Sequence, residues 1–105
     1  MSADNYHTKA ERLTAYCVVQ YKLLGLYNPE ADIELMLKEL GEPVKKAMIR
    51  MDEKSLKSLE KIIKRTEERI LFFQKQNPGV TESEEAQRII KTLREIKKEC
   101  EELND

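Results

Sequence analysis

Residues Ala15 to Tyr27 read AYCVVQYKLLGLY, and only Gln20 and Lys22 among them are strongly polar. Wound into a helix, this stretch points apolar side chains in nearly every direction. A helix that is hydrophobic all round has to be covered by neighbours on all sides. The stretch is also well short of the ~20 apolar residues that cross a bilayer. It therefore predicts the central post of a small helical bundle.

The flanking pattern agrees. Tyr6, Ala10, Leu13, Cys17, Tyr21 and Leu24 recur at alternating spacings of three and four, the period of one helix face. Ser2 or Asp4 is the expected cap of this first helix, and Gly25 to Asn28 its expected end. Asn28-Pro29-Glu30 then offers a capping side chain, a proline at the first helical position and an acidic residue at the positive end of the dipole. The second helix is expected to run to Leu40 with Ile33, Met36, Leu37 and Leu40 inward. Gly41 and Pro43 break this arm, and a short helix resumes to about Met51, with Val44, Met48 and Met51 inward. Asp52 is the expected cap of a fresh helix, because an unbroken helix over 43–76 would be ~50 Å long.

From Lys54 to Gln76 the apolar seam is Leu56, Leu59, Ile63, Thr66, Ile70 and Phe73. Asn77-Pro78-Gly79 stops that helix. Thr81 with Glu84 has the spacing of a capping box for a last helix, whose seam is Ala86, Ile89, Leu93, Ile96, Cys100 and Leu103. Two long helices joined by a short turn form an antiparallel hairpin. The fold class expected is thus all-α: one domain over 1–105, an antiparallel bundle of four helices, its second arm broken at Gly41-Pro43, closing with a long helical hairpin over 54–76 and 82–103.

Composition narrows the function classes. Charged residues make up 37% and apolar residues 40%, too apolar a mix for disorder. The net charge of −1 gives the whole chain no pull toward nucleic acid or an anionic membrane. Residues 1–12 are polar and lack the apolar core of a signal peptide. The two cysteines, Cys17 and Cys100, form no CxxC and suit reduced thiols. The expected location is the cytoplasm.

No residue set carries recognisable chemistry. His7 is the only histidine, and with Cys17 and Cys100 it has none of the spacing of a zinc site. The cysteines sit on apolar seams, where a thiol is a small buried hydrophobe. No Glu-x-x-His and no phosphate-binding glycine loop occurs. The expectation is a protein that is not an enzyme and takes no metal or cofactor.

Three features bear on partners. Positive charge is concentrated between Lys45 and Arg65. At 100° per residue, Arg50, Lys54, Lys57, Lys61 and Lys64 fall within ~80° of one another, opposite the Leu/Ile seam. Further on, Ile70-Leu71-Phe72-Phe73 is apolar on every side, so Leu71 and Phe72 point away from the seam. Either another helix covers them or they form a contact between molecules, the preferred reading, of which a symmetric dimer is the commonest form. Finally, three of the four tyrosines crowd into the central stretch. Such a cluster is more often core, each hydroxyl reaching the rim; the alternative, with Tyr21 in the core, puts Tyr16 and Tyr27 on a neighbouring face that lines a groove.

The preferred reading is a protein-interaction module: a small regulator, adaptor or inhibitor that binds an acidic protein partner and self-associates as a homodimer. Leu71 and Phe72 would anchor the contact, and Arg50, Lys54, Lys57, Lys61 and Lys64 would steer it. The alternative is a DNA-binding regulator. Residues 32–51 have the outline of a helix-turn-helix with Lys45, Lys46 and Arg50 on its second helix. Glu42 and Pro43 fit that turn poorly.

Overall fold

Tyr6, Ala10, Leu13, Cys17, Tyr21 and Leu24 are all buried, so the 3–4 stripe of the first helix is its inward face. The computed structural model describes the backbone of residues 3–103 and side chains from 5 to 103, and the candidate caps Ser2 and Asp4 lie outside the described side chains. Four helices follow one another: α1 (Ala3–Tyr27), α2 (Ile33–Arg50), α3 (Glu53–Gln76) and α4 (Glu84–Glu102), with a 3-10 turn, Pro78–Glu82, before the last. No strand occurs among the described residues. The fold is an all-α bundle.

Long-range hydrogen bonds fix the directions. The Tyr6 hydroxyl donates to the carbonyls of Ala47 (3.0 Å) and Asp52 (2.9 Å), so the start of α1 lies against the α2–α3 corner. At its other end, the Tyr27 carbonyl accepts from Asn77 Nδ2 at 3.0 Å. Helix α3 therefore runs parallel to α1, and α2 runs antiparallel to both along their shared flank. Arg12 pairs with Glu99 at 3.5 Å and donates to its carbonyl at 3.1 Å, which sets α4 antiparallel to α1.

The packing is centred on α1, as its composition requires. Helices α2, α3 and α4 all lie along it, and α2 also packs on α3. The hairpin partners α3 and α4 scarcely touch. Their seams both face α1, whose apolar surface reaches round most of its circumference and leaves Glu11, Ala15 and Lys22 to solvent. The expected hairpin thus closes over α1 and not on itself. The molecule is a slab of 43 × 27 × 17 Å. Two apolar clusters share α1. One joins its first half to α2 and α3 through Leu40, Ala47, Leu56 and Leu59; the other joins its second half to α3 and α4 through Ile70, Ala86 and Leu93.

Several boundaries differ from the sequence reading. Helix α1 runs through Gly25 to Tyr27. Gly25 is a contact point: a Cβ there would lie 3.3 Å from Ile33 Cγ1, so glycine lets the first turn of α2 approach. Asp32, not Asn28, caps α2, accepting from the Leu35 amide at 3.1 Å. Ser83, not Thr81, caps α4, accepting from the Ala86 amide at 3.1 Å. Asp52 does cap α3, accepting from the Ser55 amide at 2.8 Å.

The largest correction concerns the second arm. It is not broken at Gly41-Pro43: α2 is one helix with Pro43 inside it. Proline lacks a donor and glycine is a poor helix former, so local preference opposes this. The apolar stripe decides it. Leu40, Val44, Ala47 and Met48 keep a helical period across the weak point and all pack into the first cluster. Leu37 and Met51, expected inward, are exposed. The real corner is Met51, in the left-handed region at φ 52, with its amide bonded to the Ala47 carbonyl.

One consequence is measurable. A Cβ at Gly41 meets nothing within 4 Å. Gly41→Ala is therefore expected to stabilise the protein by roughly 1 kcal/mol, the helix-interior difference between the two residues. Urea unfolding should show a higher midpoint at unchanged slope. A lower midpoint would mean that α2 does break there.

Candidate interaction surface

The outer face of α3 is built by its own period. Leu56, Leu59, Thr66 and Ile70 are buried on the inner side, so the residues opposite them face solvent. Lys54, Lys57, Lys61 and Lys64 are all exposed. None of them forms an ion pair among the described residues, where the pairs are Lys9–Glu60 and Arg12–Glu99. Lys57, Lys64 and Leu71 succeed one another about two helical turns apart, and Phe72 follows Lys61 by about three. Two rows of lysine thus lead, past the exposed Glu68, to an apolar pair. Leu71 is 49% exposed and Phe72 58%, so both belong to the surface and not to the core.

The pair does not share one pocket. Phe72 sets its ring edge-on to Phe73, centroids 5.1 Å apart, and borders a recess with Arg65, Glu68 and Arg69. Leu71 instead forms the rim of the cleft between α3 and α4.

Arg50 belongs elsewhere than its spacing implied. Met51 resets the chain direction, so Arg50 ends α2 and is not in register with the α3 lysines. The corner still brings it beside Lys54, around a 270 Å³ cleft shared with Lys46, Glu42, Ser55 and Ser58. Lys45 and Lys46 are exposed on the same helix. The helix-turn-helix outline of 32–51 is not formed, because α2 has no turn within it.

The cleft between α3 and α4 follows from their separate attachment to α1. Tyr16 and Tyr27 both line it, as their spacing from Tyr21 implied, in a cavity of 410 Å³. A second cavity of 230 Å³ adjoins it and shares Tyr16, Glu67 and Lys97. Gln20 lies at the floor of the larger, 410 Å³ cavity, 2% exposed. Its Nε2 donates to the Ile63 carbonyl at 3.0 Å, while its Oε1 has no hydrogen-bond partner. The Tyr27 hydroxyl bonds the Thr81 hydroxyl at the cleft's end.

Sequence reasoning missed a cavity of 380 Å³ between α2 and α3, which Arg65 and Arg69 overlook. The visible signal was two arginines one helical turn apart on the flank of α3. The residues opposite them come from α2, and only the tertiary fold places these.

The remaining candidates are accounted for by burial. Cys17 is fully buried, and burial pushes its thiol from an ordinary 9.0 up to about 12. Cys100 is partly buried and is also raised, again by burial first. A reactive cysteine needs the opposite shift. His7 sets its ring edge-on to Tyr6. Among the described residues no group of three or more His, Cys, Asp or Glu is placed to hold a metal ion, and no helix is long and apolar enough to cross a membrane.

Compared with protein-family models, with curated proteins and with solved structures, the chain matches none.

Proposed function

We propose that this protein is a non-catalytic interaction module, a small regulator, adaptor or inhibitor that binds an acidic protein through the outer face of α3. One observation carries the reading: the lysines of the two rows form no ion pair among the described residues, and the rows lead toward Leu71 and Phe72, both about half exposed. Apolar anchors beside a charged track are what a contact surface uses. The anchors supply buried area and the charges speed and orient the encounter. Lys54, Lys57, Lys61 and Lys64 are the steering set, with Arg50 joining at the α2–α3 corner.

Immobilised protein exposed to a nuclease-treated lysate tests this. Wild type is expected to retain an acidic protein that L71S/F72S loses, that K57E/K61E retains less of, and that salt releases. Both variants change exposed side chains only, so helix content should be unchanged. Self-association through the same patch would appear in light scattering as a dimer lost in L71S/F72S. An identical retained set on all three proteins, with a monomer throughout, overturns the reading. Retention of nucleic acid lost with Lys45, Lys46 and Arg50 would put the nucleic-acid alternative in its place.

A further inference from the structure

The 380 Å³ cavity between α2 and α3 is within the size range of small-ligand pockets, and its chemistry is uneven. Its walls are apolar where Met36 and Ile62 face each other. Its floor is the Tyr21 side chain, 5% exposed, beside Thr66, 4% exposed. Arg65 and Arg69 stand on one side, both exposed, about one helical turn apart.

Neither guanidinium has an ion-pair partner among the described residues, although Glu39 borders the same cavity and Glu68 sits next to Arg69 in sequence. The contact Arg69 does make is poor: its Nη1 points at Met36 Sδ, 3.8 Å away. A thioether is a weak acceptor for so strong a donor. Two planar forks thus overlook a bed made by Tyr21, Met36 and Ile62, with Glu39 at its border. Guanidinium forks match carboxylate and phosphate oxygens two at a time.

We propose that this cavity binds a small amphiphilic anion, its carboxylate or phosphate held by Arg65 and Arg69 and its apolar body laid against Tyr21, Met36 and Ile62. The site is on the α2 flank of α3 and does not rest on the protein-binding reading. Glu39 limits it, because a carboxylate at the rim repels the ligand's own charge.

The test is titration followed by backbone amide NMR, using phenyl phosphate and benzoate as the probes and inorganic phosphate and benzyl alcohol as controls. At least one probe is expected to saturate, with shifts confined to the residues around Tyr21, Met36, Arg65 and Arg69. Tighter binding of phenyl phosphate would assign a phosphate ligand, and tighter binding of benzoate a carboxylate. R65Q/R69Q should weaken binding about tenfold or more, the loss of two charge-assisted contacts. E39Q should strengthen it several-fold, a gain that a merely structural role for Glu39 would not produce. All three positions are exposed, so these variants are expected to keep their helix content. No saturation of either probe by 10 mM, as an order of magnitude for a site of this size, would overturn the proposal. So would binding unchanged in R65Q/R69Q, or weakened in E39Q. Inorganic phosphate binding as tightly as phenyl phosphate, or benzyl alcohol as tightly as benzoate, would also overturn it.

Discussion

Leu24→Ala is expected to lower stability by about 3–4 kcal/mol, the usual cost of emptying a leucine-sized space in a packed core. Leu24 is 0% exposed and lies where α1, α3 and α4 meet, among Leu23, Tyr27, Ile70, Ala86 and Leu93. Because α1 is the element that α2, α3 and α4 all pack on, the cavity cannot be closed by moving one helix without pulling it from another. Collapse is therefore limited and the cavity term stays large. Natural domains are stable by about 5–15 kcal/mol, so the variant should lose a substantial part of the whole. Urea midpoints give the measurement. Leu71→Ala is the comparison, expected to cost within about 0.5 kcal/mol because that side chain is half exposed. Equal costs at the two positions would mean that α1 is not the centre of the fold.

The second large effect is alkaline. Burial raises the Cys17 thiol from 9.0 to about 12, and burial first also raises Tyr21 and Tyr16 above the ordinary phenol value of 10.0. All three are neutral when protonated. Above pH 9 the unfolded chain gives up protons that the folded chain keeps, so the folded state holds the greater number. Stability then falls as pH rises. The contribution of Cys17 is intact below pH 9 and is lost progressively up to about pH 12. One such proton gives a slope of about 1.4 kcal/mol per pH unit. Urea midpoints at intervals from pH 8 to 11 should fall steeply in wild type. Cys17→Ala should fall less steeply, leaving the share of the tyrosines. Parallel curves for the two proteins would show that the Cys17 thiol is not held neutral by the fold.

Much of this architecture was legible because it is periodic. The α1 stripe, the α3 seam and the Asp52 cap all follow from spacing or from side-chain chemistry within a few residues. The lysine face was legible as well, since a rigid helix makes 100° arithmetic valid from Lys54 onward. Arg50 fell outside that arithmetic because one left-handed residue, Met51, separates it from α3. Gly41-Pro43 misled for a different reason. Its local preference is for a break, but the stripe from Leu40 to Met48 gains more from staying in contact with α1 and α3 than the two residues cost. The cavity beside Arg65 and Arg69 was invisible for a third reason. Its other wall comes from Met36 and Glu39, and one-dimensional spacing does not say which residues of α2 face which residues of α3.

The separate attachment of α4 has a dynamic consequence. Proteins open in cooperative pieces, and the piece with the fewest neighbours opens at the lowest free energy. Helix α4 adheres to α1 and to the short turn before it, while α2 and α3 also hold each other. Its polar fastening to α1 is near its far end, where Arg12 pairs with Glu99 and donates to its carbonyl. It is thus the arm held by a single neighbouring helix, and the three remaining helices still share the cluster around Leu40, Leu56 and Leu59. The excursion would uncover Leu23, Leu24 and Tyr27. The chain therefore carries, in that open state, an apolar surface that the closed fold keeps covered.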